Sequence, residues 1–247
     1  MIDIKSGFKN TPPVVKNLII INALFLLATF TLDSLFNIKL EHILGLFFFK
    51  SEQFRPYQIV THMFMHGGIW HLFFNMFALW MFGRVLESVW GPKRFFIYYF
   101  ITGLGAVIIH SAVTYFHYIS VANNLSPELI QIVLDKGHDA LLNYQNFTNP
   151  YMAKLNIIIN TPTIGASGAV FGVLLAFGML FPNTELMLLF PPIPIKAKYF
   201  VIIYGALELF LGISQPGSHI AHFAHLGGML FGYLLIKYWD KSKKTFY

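Results

Sequence analysis

The sequence predicts an all-α protein that crosses a membrane several times as one six-helix bundle. Only 11% of its 247 residues are charged and 56% are hydrophobic, whereas a soluble domain carries about 25% charged residues. The apolar residues are gathered into long runs separated by polar turns, as in polytopic membrane proteins. The basic residues are concentrated in alternate turns, as expected of cytoplasmic loops. These observations favour a single membrane domain over two soluble domains.

Six apolar runs are candidate spans. In chain order they are Leu18–Leu35, Ile69–Val89, Phe95–Phe116, Ser167–Phe181, Tyr199–Ile213 and Ile220–Tyr238. The fourth and fifth runs are short against the ~20 residues that a spanning helix needs. The first run has no small-residue cleavage site after it, so we expect an uncleaved span. The membrane domain is therefore predicted over residues 18–238, after an N-terminal segment (1–17) and before a tail (239–247).

The basic residues predict the orientation of the bundle. With both termini in the cytoplasm, all but five of the 17 Lys and Arg residues fall inside, as the positive-inside rule requires. The five outside are Lys39, Lys50, Arg55, Lys136 and Lys154. Topology thus explains the net charge of +6, and no nucleic-acid partner is predicted. In this orientation Ser167 lies toward the outer face.

Two outer segments are large enough to carry structure. The first, Asn37–Arg55, mixes apolar residues with a few charges, so we expect a structured, lipid-touching loop rather than a seventh span. The second is an insertion over residues 118–160. Ser126 before Pro127 is a good helix start and Gly137 a good stop. A short amphipathic helix is therefore predicted inside the insertion.

The most informative stretch opens the fourth run, where Ser167 stands between small residues. Pro162 biases the residue before it away from helix, so we expect Ser167 in the first turn of a helix. Backbone N–H groups are unpaired there and can stabilise an oxyanion that develops on a substrate. The alternative is a plain helix crossing, because Gly168 and Gly172 form a Gly-xxx-Gly pair. A backbone break at this depth is tolerated only inside protein or beside water, which favours a site.

A second polar stretch lies near the outer end of the second run. His71 and Asn75 are four residues apart and share one helix face. Polar side chains at that depth are costly without partners and usually mark function. An imidazole N–H and an Asn amide are both suitable donors to an oxyanion. The alternative is a buried hydrogen-bonded pair that holds helices together.

The last run carries a histidine followed by two glycines on the same helix face. His225, Gly228 and Gly232 share one helix face, so a partner helix can come very close. The natural partner is the Ser167 helix with its own glycine pair. That approach would bring His225 to Ser167, whose proton it can take as general base. Glu208 can orient His225, but a bond to another donor is favoured, so a dyad rather than a triad is expected.

The other histidines raise a metal or haem site as an alternative. His62 and His66 have zinc-like i, i+4 spacing, and His219 and His222 lie near the start of the last run. The first pair lacks the glutamate of a His-Glu-x-x-His motif, so neither a metal nor another cofactor is predicted. Cysteine is absent from the chain, which excludes disulfides, thiolate metal sites and a cysteine nucleophile. Structural hydrogen bonding is the predicted role of His62, His66 and His222.

Taken together, these motifs resemble the rhomboid family of intramembrane serine proteases. The matching positions follow the order and spans of that family: His66, His71, Asn75, Gly83, Glu87, Gly91, Gly165, Ser167, Gly168, Ala224, His225, Gly228 and Gly232. The resemblance implies a six-helix bundle with a water-filled cavity open to the outer side. Tyr57 and Gln58 stand where many members carry Trp-Arg in the first outer loop.

The resemblance also implies roles for the matching residues. Ser167 would be the nucleophile and His225 the general base, while Asn75, His71 and the Ser167 backbone N–H would form the oxyanion hole. Structural roles near the site would fall to His66, Gly165, Gly168, Gly172, Gly228, Gly232 and Glu87. Family members cut transmembrane segments of other proteins near the outer face without a cofactor. We therefore expect transmembrane protein substrates and the lipid bilayer as partners.

Two other functions are weighed against a protease. An inactive rhomboid-like protein would bind transmembrane helices without cutting them, but such relatives usually lack the serine or the histidine, and both are present here. A small transporter or channel would need a polar path to both faces. The cytoplasmic half of the spans is almost purely apolar apart from Arg84 and Glu87, which argues against one.

The modest size and the lack of a transit peptide predict a bacterial cell (inner) membrane, with both termini cytoplasmic. The sequence leaves open the substrate, its cleavage motif and the oligomeric state. It also leaves open the role of the insertion at 118–160.

Overall fold

The structure is a computed structural model that describes residues 10–187, 192–215 and 221–243. Several sequence predictions fall outside these ranges. They are the first nine residues of the N-terminal segment with Lys5 and Lys9, His219, the start of the last span at Ile220, and residues 244–247 of the tail.

The described residues form α-helices and a short antiparallel hairpin. In chain order the helices are α1 (Pro13–Phe36), α2 (Leu40–Leu44), α3 (Gln58–Thr61), α4 (Ile69–Trp90), α5 (Pro92–Ala122), α6 (Pro127–Leu142), α7 (Pro150–Asn160), α8 (Ser167–Leu180), α9 (Ala197–Ser214) and α10 (His222–Lys243). The hairpin pairs β1 (Glu185–Met187) with β2 (Pro194–Lys196) between α8 and α9. A 3-10 turn, His62–Phe64, follows α3, and α4 contains a π-helical turn, Leu79–Gly83.

Four helices in the described ranges are long and apolar enough to cross a membrane: α1, α4, α5 and α9. The helix α8 is apolar but shorter, and its 14 residues extend only about 21 Å against a hydrocarbon core of about 30 Å. These helices indicate an integral membrane protein that crosses the bilayer more than once. The count of six crossings remains a prediction.

Glu87 of α4 caps the start of α1. Its side chain is only 2% exposed. One carboxylate oxygen accepts from the Val14 N–H at 2.9 Å and the other from the Val15 N–H at 2.8 Å. The first N–H groups of a helix have no partner within it. A negative charge near them also interacts favourably with the positive end of the helix dipole. The predicted structural role of Glu87 is thus visible in its contacts, which lie at the start of α1.

Replacing Glu87 by alanine is expected to lower the free energy of unfolding by about 2–4 kcal/mol, because two buried N–H groups lose their acceptors. The measurement is reversible or scan-rate-controlled unfolding in detergent micelles, followed by circular dichroism. Glu52→Ala is the matched control, since Glu52 is exposed and its change should alter stability by less than about 0.5 kcal/mol. Equal stability of the two variants would show that Glu87 is not a cap.

The first outer loop is held together by Gln58. Its buried side chain donates to the Ile43 carbonyl at 3.2 Å and to the Gln53 carbonyl at 3.0 Å. Its Oε1 accepts from the Arg55 N–H at 3.0 Å and from the Phe47 N–H at 3.4 Å. The loop is therefore structured, as predicted, and one side chain bridges four of its backbone groups.

The first helix of the insertion at 118–160 ends later than predicted. This helix, α6, begins at Pro127 as expected but continues through Gly137 to Leu142. Gly137 was the predicted stop, and that prediction is wrong. A Cβ at this position would overlap the Asn156 side chain, so the glycine permits close packing of α6 on α7 instead of ending the helix.

The second helix of the insertion, α7, was not predicted. Its start has a clear sequence signal, because Asn149 precedes Pro150. The Asn149 side-chain oxygen accepts from the N–H groups of Tyr151 at 2.9 Å and Met152 at 3.2 Å, which is the usual action of an N-cap. Proline is favoured at the next position because its missing N–H would be unpaired anyway.

The centre of the bundle is a close contact of α5, α8 and α10. A Cβ at Gly228 would overlap the carbonyl oxygen of Gly168, so α8 and α10 touch backbone to backbone, as the paired glycines predict. The second glycine of each pair faces α5 instead. The Tyr98 hydroxyl donates to the Gly172 carbonyl at 2.8 Å and occupies the space that a Cβ at Gly232 would need.

Candidate active site

Ser167 is the first residue of α8 and is half-buried. The segment before it is extended and pairs with the first outer loop, where Thr163 and Leu46 exchange backbone hydrogen bonds of 2.8 and 2.9 Å. Gly165 then turns the chain with a φ of +131°, which glycine adopts far more readily than other residues. A Cβ there would also lie 3.0 Å from the ring of His71. The segment that leads to Ser167 is thus held by its backbone hydrogen bonds to Leu46 and by the turn at Gly165, and it places Ser167 at the start of α8.

The glycine contact of α10 with α8 brings His225 to Ser167. The His225 Nε2 lies 2.8 Å from the Ser167 Oγ, although the two residues are 58 positions apart in the chain. This is hydrogen-bond distance. His225 precedes Gly228 by about one helical turn, so the backbone contact of Gly228 with Gly168 sets the distance between the imidazole and the hydroxyl.

Phe171 supports the imidazole from one side. Its ring stacks on the ring of His225 with centroids 4.1 Å apart and planes only 3° from parallel. Tyr204 of α9 also packs against Phe171, with centroids 4.9 Å apart. The sequence held a signal for this role, since Phe171 follows Ser167 by four residues and shares its helix face.

A carboxylate lies on the far edge of the imidazole, where no acidic partner was predicted. The Glu208 Oε2 lies 2.8 Å from the His225 Nδ1 and 2.7 Å from the His222 Nδ1. All three side chains are buried. Glu208 had been expected to choose another donor. The structure shows that α9 packs against α10 so that one carboxylate oxygen reaches both histidines.

His71 contributes an N–H near Ser167. The Gly67 N–H donates to the His71 Nδ1 at 3.3 Å, so the ring proton belongs on Nε2. His71 Nε2 and Ser167 Oγ lie 3.0 and 3.6 Å from the position that a Cβ on Gly165 would occupy. The His71 ring and the serine hydroxyl therefore lie close together beside Gly165.

The ring of His66 packs against that of His71, with centroids 4.9 Å apart. Burial, with a smaller contribution from the neighbouring His71, lowers the pKa of His66 to about 4, so His66 is neutral at physiological pH. A neutral ring adds no positive charge beside His71. Within the described residues neither ring nitrogen of His66 has a hydrogen-bond partner, so the predicted hydrogen-bonding role is wrong and the contact seen is ring packing on His71.

Asn75 is buried below His71 on α4. Its side-chain amide donates to the His71 carbonyl at 3.0 Å, so the contact seen in the structure is with the helix backbone. One amide hydrogen is left for another acceptor. The place of Asn75 in an oxyanion hole therefore remains a prediction.

Two features from the sequence analysis remain, namely His62 and the possible metal site among the histidines. The His62 ring lies 2.9 Å from the Gln58 carbonyl. Glu208, His222 and His225 together offer three ligand atoms within 4.8 Å of one another, a set whose donors suit a transition metal. In the structure, however, each histidine Nδ1 is within hydrogen-bonding distance of the carboxylate, which needs no ion between them.

Comparison with known proteins decides the family. A family model described as the rhomboid domain matches residues 53–239, which include both Ser167 and His225. The chain belongs to the rhomboid family. The rhomboid match covers every side chain of the site described above, from His66 on the loop before α4 to His225 on α10.

Several curated rhomboid proteins are also similar to this chain in sequence. The mitochondrial Rhomboid protein 1 of Saccharomyces cerevisiae is 28% identical over 184 residues, 74% of this chain and 42% of the yeast protein. The mitochondrial RHOMBOID-like protein 12 of Arabidopsis thaliana is 29% identical over 218 residues, 87% of this chain and 55% of its own length. Inactive RHOMBOID-like protein 8 of Arabidopsis thaliana is 35% identical over 66 residues, 26% of this chain and 19% of that protein. The chain thus spans about half or less of each relative, and the names give no support to a bacterial membrane.

Proposed function

We propose that this rhomboid protein is an intramembrane serine endopeptidase that uses Ser167 as nucleophile and His225 as general base. The observation that carries the proposal is the 2.8 Å contact between Ser167 Oγ and His225 Nε2. A serine within hydrogen-bond reach of an imidazole is the arrangement that activates a hydroxyl for attack on a carbonyl. The stacked ring of Phe171 holds that imidazole in place.

The reaction follows from this geometry. Ser167 Oγ forms a bond to the scissile carbonyl carbon while its proton passes to His225 Nε2. The imidazolium gives the proton to the amide nitrogen, the C–N bond breaks, and the amine leaves. Water then gives a proton to His225 and attacks the acyl ester. The imidazolium returns that proton to Ser167 Oγ as the acyl C–O bond breaks, which releases the acid and restores both residues.

The negative charge on the carbonyl oxygen needs donors. The unpaired N–H groups of the first turn of α8 begin at Ser167, and the His71 ring with its Nε2–H lies close to the Ser167 hydroxyl. Preorganised donors of this kind supply a large part of the rate enhancement in acyl transfer. Asn75 would join them through its remaining amide hydrogen.

The substrate class follows from the setting of the site. Ser167 begins a short helix among membrane spans, so the reachable peptide bonds are those of transmembrane segments near one face of the bilayer. A helical substrate must unwind before its bond is accessible, so glycine or proline near the cut should help. The distribution of Lys and Arg favours cytoplasmic termini and a site toward the outer face.

The test is labelling by a fluorophosphonate, which reacts covalently with an activated serine. We expect the detergent-solubilised wild type to be labelled, while Ser167→Ala and His225→Ala are not. Heat-denatured wild type controls for reaction with unactivated serines. Labelling of Ser167→Ala at the wild-type rate would place the reactive serine elsewhere.

The same experiment distinguishes the alternative function. A folded wild type that resists the probe in every lipid and detergent tried would favour a catalytically inactive rhomboid-like protein that binds transmembrane helices. Co-purification of transmembrane peptides with wild type and Ser167→Ala alike would then support that alternative.

A further inference from the structure

The buried cluster of Glu208, His222 and His225 extends the site beyond the serine and its base. One carboxylate oxygen lies 2.7 Å from the His222 Nδ1 and 2.8 Å from the His225 Nδ1. The other nitrogen of His225 faces Ser167 at 2.8 Å. The four side chains therefore form a continuous hydrogen-bonded line from α8 through α10 to α9.

The chemistry of these groups determines which nitrogen atoms in the hydrogen-bonded line carry a proton. An ionised carboxylate only accepts hydrogen bonds, so both histidines donate from Nδ1. A neutral His225 with its proton on Nδ1 then has its lone pair on Nε2. That lone pair faces the Ser167 hydroxyl, which is the tautomer that a general base requires.

We propose that Glu208 is a positioning residue for His225 and that His222 holds the Glu208 carboxylate in place. This rests on the proposed function. When Ser167 attacks, the hydroxyl proton moves to His225 Nε2, and the carboxylate stabilises the resulting imidazolium without taking a proton itself. The proton then leaves with the amine, and Glu208 stays ionised through the whole cycle.

The position of Glu208 argues against a role in packing alone. A carboxylate within an apolar spanning helix is costly and generally marks function. Its side chain is buried and meets two imidazoles at the edge of the serine. Among the described residues, His71, His110 and Tyr204 are other titratable groups that interact electrostatically with this cluster.

The decisive variant is Glu208→Gln, which keeps the shape and removes the charge. Its amide can donate to the His225 Nδ1 and so favour the wrong tautomer. We expect kcat for cleavage of a quenched fluorescent transmembrane peptide to fall by roughly 10²-fold, the upper range for loss of one charge-assisted hydrogen bond. The matched control is Glu87→Gln, the same change at a buried carboxylate that caps α1.

The pH–rate profile separates positioning from stability. Without the carboxylate, the positive charge that forms on the ring during the reaction loses its buried partner. We expect the pH dependence of kcat in Glu208→Gln to differ in shape from that of the wild type. In Glu87→Gln the profile should keep the wild-type shape even if the protein is less stable.

A second measurement avoids reliance on a variant that may not fold. Nitrogen-15 NMR of histidine-labelled wild type reports which ring nitrogen of a neutral imidazole carries the proton. The His225 signal is assigned by its loss in His225→Ala. We expect protonated Nδ1 and unprotonated Nε2, and the opposite tautomer would overturn the proposal.

The outcomes distinguish this inference from the proposed function. A wild type that neither labels nor cleaves would overturn both. An active wild type, an inactive Ser167→Ala and a Glu208→Gln with the wild-type rate and profile would overturn the role of Glu208 alone. Loss of wild-type activity in a chelator and its return with zinc would make the cluster a metal site and also overturn it.

Discussion

Replacing Ser167 by alanine is expected to lower kcat for peptide cleavage by a factor on the order of 10⁶, the loss found when a serine protease loses its nucleophile. No other hydroxyl occupies the position 2.8 Å from His225 Nε2 in the described part of the chain. The measurement uses protein reconstituted in lipid vesicles with a quenched fluorescent transmembrane peptide that carries a glycine–proline break. Ser88→Ala is the matched control, because Ser88 bonds only to the Arg84 carbonyl of its own helix among the contacts described.

The partner variant tests whether the two residues act as a unit. His225→Ala should cost nearly as much as Ser167→Ala, and the double variant should be no slower than Ser167→Ala alone, because residues of one catalytic unit are strongly non-additive. Independent, multiplying effects would contradict the shared proton transfer. Retained cleavage in Ser167→Ala would refute the proposed mechanism outright.

Replacing Gly228 by alanine is expected to have the second largest effect, although the residue touches no substrate. The new Cβ would overlap the Gly168 carbonyl oxygen, and α8 and α10 must separate before the pair reaches the 3.4 Å of ordinary contact. Overpacking of this kind costs about 1–3 kcal/mol of stability. The separation also moves His225 from Ser167, and a misplacement of about 1 Å lowers rate by about 10²-fold.

Gly205→Ala is the control for Gly228→Ala. A Cβ at Gly205 would meet the end of the Met229 side chain at 3.1 Å, and methionine is flexible enough to move aside. Thermal unfolding in detergent and kcat for the transmembrane peptide are measured for both variants. If Gly228→Ala cleaves as fast as Gly205→Ala, the distance between serine and histidine does not depend on the glycine contact.

Local sequence patterns were sufficient to predict that Ser167 and His225 lie side by side. The small residues around Ser167 and the spacing of His225 and Gly228 predict two helices in backbone contact, and that contact alone places the hydroxyl near the imidazole. Gly137 shows the limit of the same kind of reasoning. A glycine can end a helix or admit a neighbour, and only the position of Asn156 in three dimensions decides between them.

The hydrogen-bond partners of Glu208 could not be predicted from the sequence for a different reason. A glutamate side chain has three rotatable bonds, so its choice of donor depends on how α9 is rotated against α10. The bonds of Gln58 to four loop groups likewise depend on tertiary structure. By contrast, Asn149 before Pro150 is a recognisable signal for a helix start, and the sequence analysis did not use it.

The length of α5 has a practical consequence for imaging. His110 lies 3.0 Å from Thr163 on the segment that leads to Ser167, and the rest of α5 to Ala122 extends about 18 Å beyond that level. There α6 and α7 pack against its end around a buried core that includes Val133 and Leu155. At 28.2 kDa the protein is small for single-particle electron microscopy. An antibody fragment raised against α6 and α7 would add mass at this end of α5 and help to align particle images.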